Sequence, residues 1–133
     1  MEILRFNLIH SLFYVPIPES DPFADPGGEK LYCFELDENE RKSFEPDKEK
    51  LICRLVFCGE APGENSETLL ELPKGNYLFA QERRILNMDE IITMVIEIQQ
   101  EGLWQRRKLS DRLYLRFLHE DGCFVTQLFR PYF

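Results

Sequence analysis

Few side chains in this sequence are equipped for chemistry: four cysteines (Cys33, Cys53, Cys58, Cys123) and two histidines (His10, His119) stand among many carboxylates. Nucleophilic catalysis needs a hydroxyl or thiol, a base within hydrogen-bond reach and a group to orient that base. His10 adjoins Ser11, but neighbours on a strand face opposite ways, so the two form no dyad. His119 and Cys123 flank a turn, and the strand register given below sends them to opposite faces. The cysteines include no CxxC pair. If 50–58 is a strand, Cys53 and Cys58 are an odd number of residues apart and cannot share one ion. The expectation is therefore no metal site, no cofactor and no disulfide, with the thiols packed as small apolar groups. No glycine lies in a phosphate-cradling loop between a strand and a helix, and no carboxylate pair is spaced for acid and base work. No catalytic residue is assigned, and an enzyme ranks third among the functional readings.

Binding chemistry has better candidates. Glu82 ends an otherwise apolar run, Tyr77 to Ala80, and a carboxylate beside aromatic rings can hold a cationic ligand by charge and cation–π attraction. Tyr77, Phe79, Trp104, Tyr114, Phe129 and Tyr132 fall on or just after elements expected to share one sheet. The predicted ligand-binding set is Tyr77, Phe79, Glu82, Trp104, Tyr114, Arg116 and Phe129. Core packing is the competing role for the rings, and pairing with Arg83 or Arg84 is the competing role for Glu82.

The chain has 133 residues and a net charge of −8. Residues 1–71 carry 16 acids against 7 bases, whereas residues 72–133 carry 8 against 9. An acidic first half repels phosphates, and Arg106, Arg107 and Lys108 are too short a basic cluster to overturn that. Nucleic acid is excluded as a partner, and these three residues read as a solvated link after a helix. No apolar run approaches the roughly 18 residues a spanning helix needs, and no basic amphipathic segment suits an anionic membrane. Glu2 and the lack of a small-residue cleavage site argue against a secretory signal. A soluble cytoplasmic protein is expected.

The elements that must position these residues follow from periodicity. Residues 2–9 alternate as a half-buried strand, with an apolar continuation over 12–15. Residues 16–30, with four prolines and four acids, read as a surface loop available as a lid or partner site. Residues 31–36 and 50–58 read as strands of a hairpin with a long loop. Residues 67–72 and 76–83 read as short strands hinged at Pro73, Lys74 and Gly75. Asn87 and Glu90 form a capping box, which starts a helix that Gly102 ends, with Ile91, Val95 and Ile98 on one face. Asp121-Gly122 suits a two-residue turn between strands 112–120 and 123–133. That turn pairs Glu120 with Cys123, Leu118 with Val125, Arg116 with Gln127 and Tyr114 with Phe129. The face bearing Leu115, Phe117 and Leu128 is expected to meet the helix, leaving Tyr114, Arg116, Gln127 and Phe129 partly free.

The run LLELPKGNYLFAQERR, the capped helix ending EGLW and the closing DRLYLRFLHEDGCFVTQLFRPY give residues 67–133 the order strand, helix, strand, strand. This order resembles one repeat of the gyrase-inhibitor-like (GyrI-like) effector-binding domains, whose fold also appears in the SOUL haem-binding group. Leu72, Pro73, Gly75 and Tyr77 are similar to the family's entry into its helix. The resemblance implies a cleft lined by aromatics and a carboxylate, formed by two repeats, that binds small and often cationic molecules. Residues 1–66 supply strands but no helix for a first repeat, so the family's ligand carboxylate is carried over to no position here, and no His motif supports haem.

The fold expected is one α+β domain spanning 1–133, a mostly antiparallel twisted sheet of about six to eight strands with one main helix, 87–102, packed on one face. The functional expectation is a non-catalytic small-molecule-binding or sensing domain for cationic or aromatic ligands. The alternative is a protein-interaction or regulatory module that uses the acidic loop and the open sheet face. Homodimerisation through a sheet edge is a further option, because edges present unpaired backbone groups.

Overall fold

A computed structural model describes residues 2–16, 29–36, 55–60 and 70–133, with residues 15, 16, 55–60 and 70 described by backbone alone. Most of the 16–30 loop, Lys50 to Arg54 of the expected fourth strand, and Glu67 to Leu69 lie outside the described residues.

Eight strands and one helix are present among those residues: β1 Leu4–Leu8, β2 Leu12–Pro16, β3 Lys30–Glu35, β4 Leu55–Glu60, β5 Leu70–Leu72, β6 Gly75–Glu82, α1 Met88–Trp104, β7 Arg112–Glu120 and β8 Cys123–Pro131. The strands hydrogen-bond in the order β1-β6-β8-β7-β3-β4-β2-β5, and every pairing is antiparallel. The fold is α+β, as the sequence predicts.

Local chemistry sets the main boundaries. Asp121 and Gly122 adopt φ of 51° and 76°, the two positive angles that a tight turn between twisted strands requires. The predicted register follows, with Tyr114 opposite Phe129, Leu115 opposite Leu128 and Arg116 opposite Gln127. At the start of α1 the Asn87 side chain accepts the Glu90 N–H at 2.9 Å, and the Glu90 carboxylate accepts the Asn87 N–H at 3.3 Å. Arg84 pairs with the same carboxylate. Together with the Asn87 N–H, it holds the Glu90 pKa below its ordinary value.

The helix does not stop at Gly102. It continues to Trp104, and Gly102 is buried within it. A Cβ at this position would meet Leu109 Cδ1 at 2.6 Å, so the glycine serves the close approach of the returning chain rather than termination.

One face of α1 buries Ile91, Met94, Val95 and Ile98 against Leu78, Ala80, Leu113, Leu115, Phe117 and Leu128. Full burial of such a side chain is worth at most about 1.5–3 kcal/mol. This is the helix-facing side expected for the β7–β8 hairpin. The reverse side departs from expectation, because it is covered. Leu8 and Gly75 pair in the β1–β6 ladder, and Leu12 and Leu72 pair in the β2–β5 ladder, so only 9–11 and 73–74 interrupt one long bent ribbon. β6 joins this ribbon to β8, and β2 joins it to β4, tying the two ends of the strand order together. The sheet therefore wraps around a second apolar cluster: Tyr14, Leu31, Cys33, Leu72, Tyr77, Phe79, Tyr114 and Phe129, with Leu8 and Leu12 packed against it. At the bend Gly75 takes φ +148°, an angle side-chain-bearing residues rarely adopt. Opposite it, the Lys74 N–H donates to Ser11 Oγ at 2.9 Å.

Candidate functional site

Five of the seven predicted ligand residues share the wrapped interior, because Tyr77 and Phe79 alternate inward on β6, Tyr114 and Arg116 on β7 and Phe129 on β8. The rings pack edge to face or tilted: Tyr77–Phe129 at 5.6 Å, Phe79–Phe129 at 4.9 Å and Tyr77–Tyr114 at 6.4 Å between centroids. Phe6 of β1 closes over Phe79 and Phe129 at 5.4 and 6.0 Å. Of the five predicted rings, the four gathered here, Tyr77, Phe79, Tyr114 and Phe129, are only 1–8% exposed. They touch one another rather than an open cleft. The expectation of a partly free face is corrected here, because the β1–β2 and β5–β6 ribbon lies across it.

The polar residues of this face form a chain. Arg116 pairs with Glu29, its Nε donating to Oε1 at 2.6 Å, and its Nη1 donates to Gln127 Oε1 at 3.3 Å. Gln127 Nε2 donates to Gln81 Oε1 at 3.1 Å, and the Tyr14 hydroxyl donates to Glu29 Oε1 at 3.2 Å. The carboxylate beside the rings is thus Glu29, already neutralised by a guanidinium. Charges removed from water need such a partner, and this one leaves Glu29 poorly suited to a cationic ligand.

Two predicted site residues lie elsewhere. Glu82 pairs with Thr126 and has the opposite parity to Tyr77 and Phe79, so it points away from the ring cluster. Trp104 sits at the end of α1, 84% exposed.

Among the described residues, the buried thiol and the buried tyrosine hydroxyls are held in their protonated forms. Burial pushes the Cys33 thiol up to about 12, so it stays protonated and a poor nucleophile at neutral pH. Burial also pushes the Tyr14 hydroxyl up to about 12, with Arg116 opposing the rise and Glu29 adding to it. Tyr77 and Tyr114 are raised by burial as well. The Tyr77 hydroxyl donates to the Pro73 carbonyl. Ser11 Oγ is engaged by the backbone, and the His119 ring packs on Phe124 at 4.8 Å while Cys123 pairs with Glu120. Among the described residues no three His, Cys, Asp or Glu side chains are gathered to hold a metal ion.

The C-terminal end of α1 offers the open surface. Ile91, Val95, Ile98 and Gly102 continue one buried stripe, which turns Leu103 and Trp104 off it, 56% and 84% exposed. Both line an open depression of about 590 Å³ with Gln100 and Arg106. The helix ends in a Schellman turn, in which the Arg107 N–H donates to the Gly102 carbonyl at 2.9 Å and the Arg106 N–H to the Leu103 carbonyl at 3.1 Å. Arg106 occupies the left-handed position of that turn, φ 54°, where glycine is favoured by about 1 kcal/mol. Arg106, Arg107 and Lys108 are all exposed, and Arg107 stacks over Tyr132 at 5.3 Å. Sequence reading took Arg106 only as part of a solvated link and did not single out Leu103. Their signal was an apolar pair out of phase with the buried stripe, followed by three cations.

No known family model matches the chain, and no curated protein sequence does. Among the described residues, no helix is long and apolar enough to cross a membrane.

Proposed function

We propose that this domain is a non-catalytic protein-interaction module whose contact surface is the C-terminal end of α1. The observation that carries this reading is the exposure of Leu103 and Trp104 around an open hollow, in a fold that buries its other candidate rings. An exposed tryptophan gives up apolar burial that contact with a partner would recover, and tryptophan with arginine is the pairing that anchors many interfaces. This is the alternative reading of the sequence relocated, from the sheet face to the helix end. The resemblance of residues 67–133 to one GyrI-like repeat favours a binding role over a catalytic one.

Small-molecule binding is the second reading, favoured by the gathering of Tyr77, Phe79, Tyr114, Arg116 and Phe129 on one face with the Glu29, Gln127 and Gln81 chain. Arg116 and its partners place charge on that face, and a carboxylate-bearing ligand matches the guanidinium better than a cation does. A cytoplasmic setting belongs to the same proposal, supported by the free thiols of Cys33 and Cys123.

Two measurements separate these readings. Amine, carboxylate and aromatic ligands should leave the melting temperature unchanged, whereas a purified partner held by the full chain should be lost with Leu103→Ser and Trp104→Ala. A ligand that raises the melting temperature by several degrees, equally in Trp104→Ala, would overturn the interaction reading in favour of the second.

A further inference from the structure

We propose that the hollow at the end of α1 receives an acidic peptide segment of a protein partner, anchored by an apolar side chain. This inference rests on the interaction reading and adds the partner's chemistry. Leu103 and Trp104 supply an apolar floor and wall, and Arg106 supplies charge at the same hollow. Arg107 and Lys108 follow immediately, exposed, and none of the three cations is paired with a carboxylate among the described residues. Glu101, one turn back, accepts from Gln105 Nε2 at 2.9 Å and makes no ion pair with any of the three.

Arg106 gives the second, independent indication. It holds the left-handed position of the helix-ending turn, where glycine would be easier, and that backbone angle carries its side chain to the hollow. A side chain at a left-handed backbone position, where glycine is easier, points to a use for that side chain.

The chain as a whole is acidic, at −8, so its distant field repels an acidic partner. Such repulsion is screened beyond a Debye length of about 8 Å, and Arg106, which lines the hollow, attracts at contact range, with Arg107 and Lys108 next to it in sequence. A neutral apolar segment would leave those cations without a counter-charge, and a basic one would be repelled by them. An aromatic ring beside arginines also suits a stacked base, so RNA enters as an outcome of the test.

Trp104 is the sole tryptophan, so intrinsic fluorescence of the full chain reads the site directly. The probes are a synthetic peptide alternating glutamate with leucine and phenylalanine, its glutamine counterpart, polyglutamate and polyuridine RNA. The expected result is a saturable blue shift with the acidic apolar peptide, at least about tenfold tighter than with the glutamine peptide. Added salt and the triple change Arg106→Gln, Arg107→Gln, Lys108→Gln should remove that preference, with the melting temperature nearly unchanged. Equal binding of the glutamine peptide would overturn the acidic inference and leave the interaction reading standing. Tighter binding of RNA would overturn both, and a concentration-dependent blue shift without any probe would assign the surface to a second copy of this chain instead. No shift with any probe overturns the acidic inference, and the interaction reading falls with it only if partner retention is also indifferent to Trp104→Ala.

Discussion

Inside the wrapped sheet, Tyr77, Phe79, Tyr114 and Phe129 give their rings to one another and are 1–8% exposed, whereas at the end of α1 Trp104 turns its ring to solvent at 84%. Both regions pair aromatics with arginine. In the interior, Arg116 has Glu29 and Gln127 as partners, and at the helix end Arg106 and Lys108 have no carboxylate among the described residues. Aromatic content alone therefore does not mark a binding site. A ring whose surface is spent on other rings stabilises the fold, and a ring whose surface is still wet can stabilise a complex.

The sharpest way to break this contrast is to truncate one ring in each region. Phe129→Ala should destabilise the fold by about 3–5 kcal/mol, since its ring touches Phe6, Tyr77 and Phe79, while Trp104→Ala should shift it by no more than about 0.5 kcal/mol. Denaturant unfolding measures both, and comparable losses would erase the distinction.

Alkaline titration tests the interior next. Tyr14 ionises at an ordinary value of 10.0 when unfolded and at about 12 in the fold, so its contribution is fully present below pH 10 and is lost as pH rises toward 12. Cys33, raised from 9.0 to about 12, acts in the same direction from a lower starting pH. Stability should fall from about pH 9 to about pH 12, and ultraviolet titration should show a tyrosine ionising late. Tyrosines that all titrate near 10 while the protein stays folded would contradict the packed interior.

Breaking the interior ion pair should cost less. Arg116→Met leaves Glu29 beside buried rings and should destabilise by about 1–3 kcal/mol, less than a fully buried pair because both side chains retain some solvent contact. The double change Arg116→Met, Glu29→Gln should recover part of that loss. A double-mutant cycle with no coupling would show that the two charges do not depend on each other.

The smallest effect should have the opposite sign. Arg106→Gly should stabilise the protein by about 1 kcal/mol by relaxing the left-handed position, measured by thermal unfolding, and should at the same time weaken partner contact. A destabilising Arg106→Gly would mean that the arginine is retained for packing.

Sequence alone was sufficient wherever a signal was local. Asp121-Gly122 specified the hairpin turn and its register because few residue pairs tolerate two positive φ angles. Asn87 and Glu90 specified the helix start because both capping partners lie within one turn. The alternation of β7 correctly separated Leu115 and Phe117, which meet α1, from Tyr114 and Arg116. Gly102 was legible as a glycine but not as an interior one, since its reason is Leu109, seven residues on and folded back over the helix. Strand alternation placed Tyr77, Phe79, Tyr114, Arg116 and Phe129 on one face, as the structure has them, but of the residues at the helix-end hollow only Trp104 belonged to the predicted set. Glu82 was misplaced by one step of the strand period, and Trp104 was assigned to a face it does not reach.

Local patterning thus determined the strands, the caps and which side chains share a side. Tertiary structure alone decided whether a side would be open. The pairing of β1 with β6 and of β2 with β5 joins residues more than 55 positions apart, and it turned the reverse side of the hairpin from a surface into a core. A strand's period states which way each side chain points, but what it meets there depends on chain segments brought in from elsewhere.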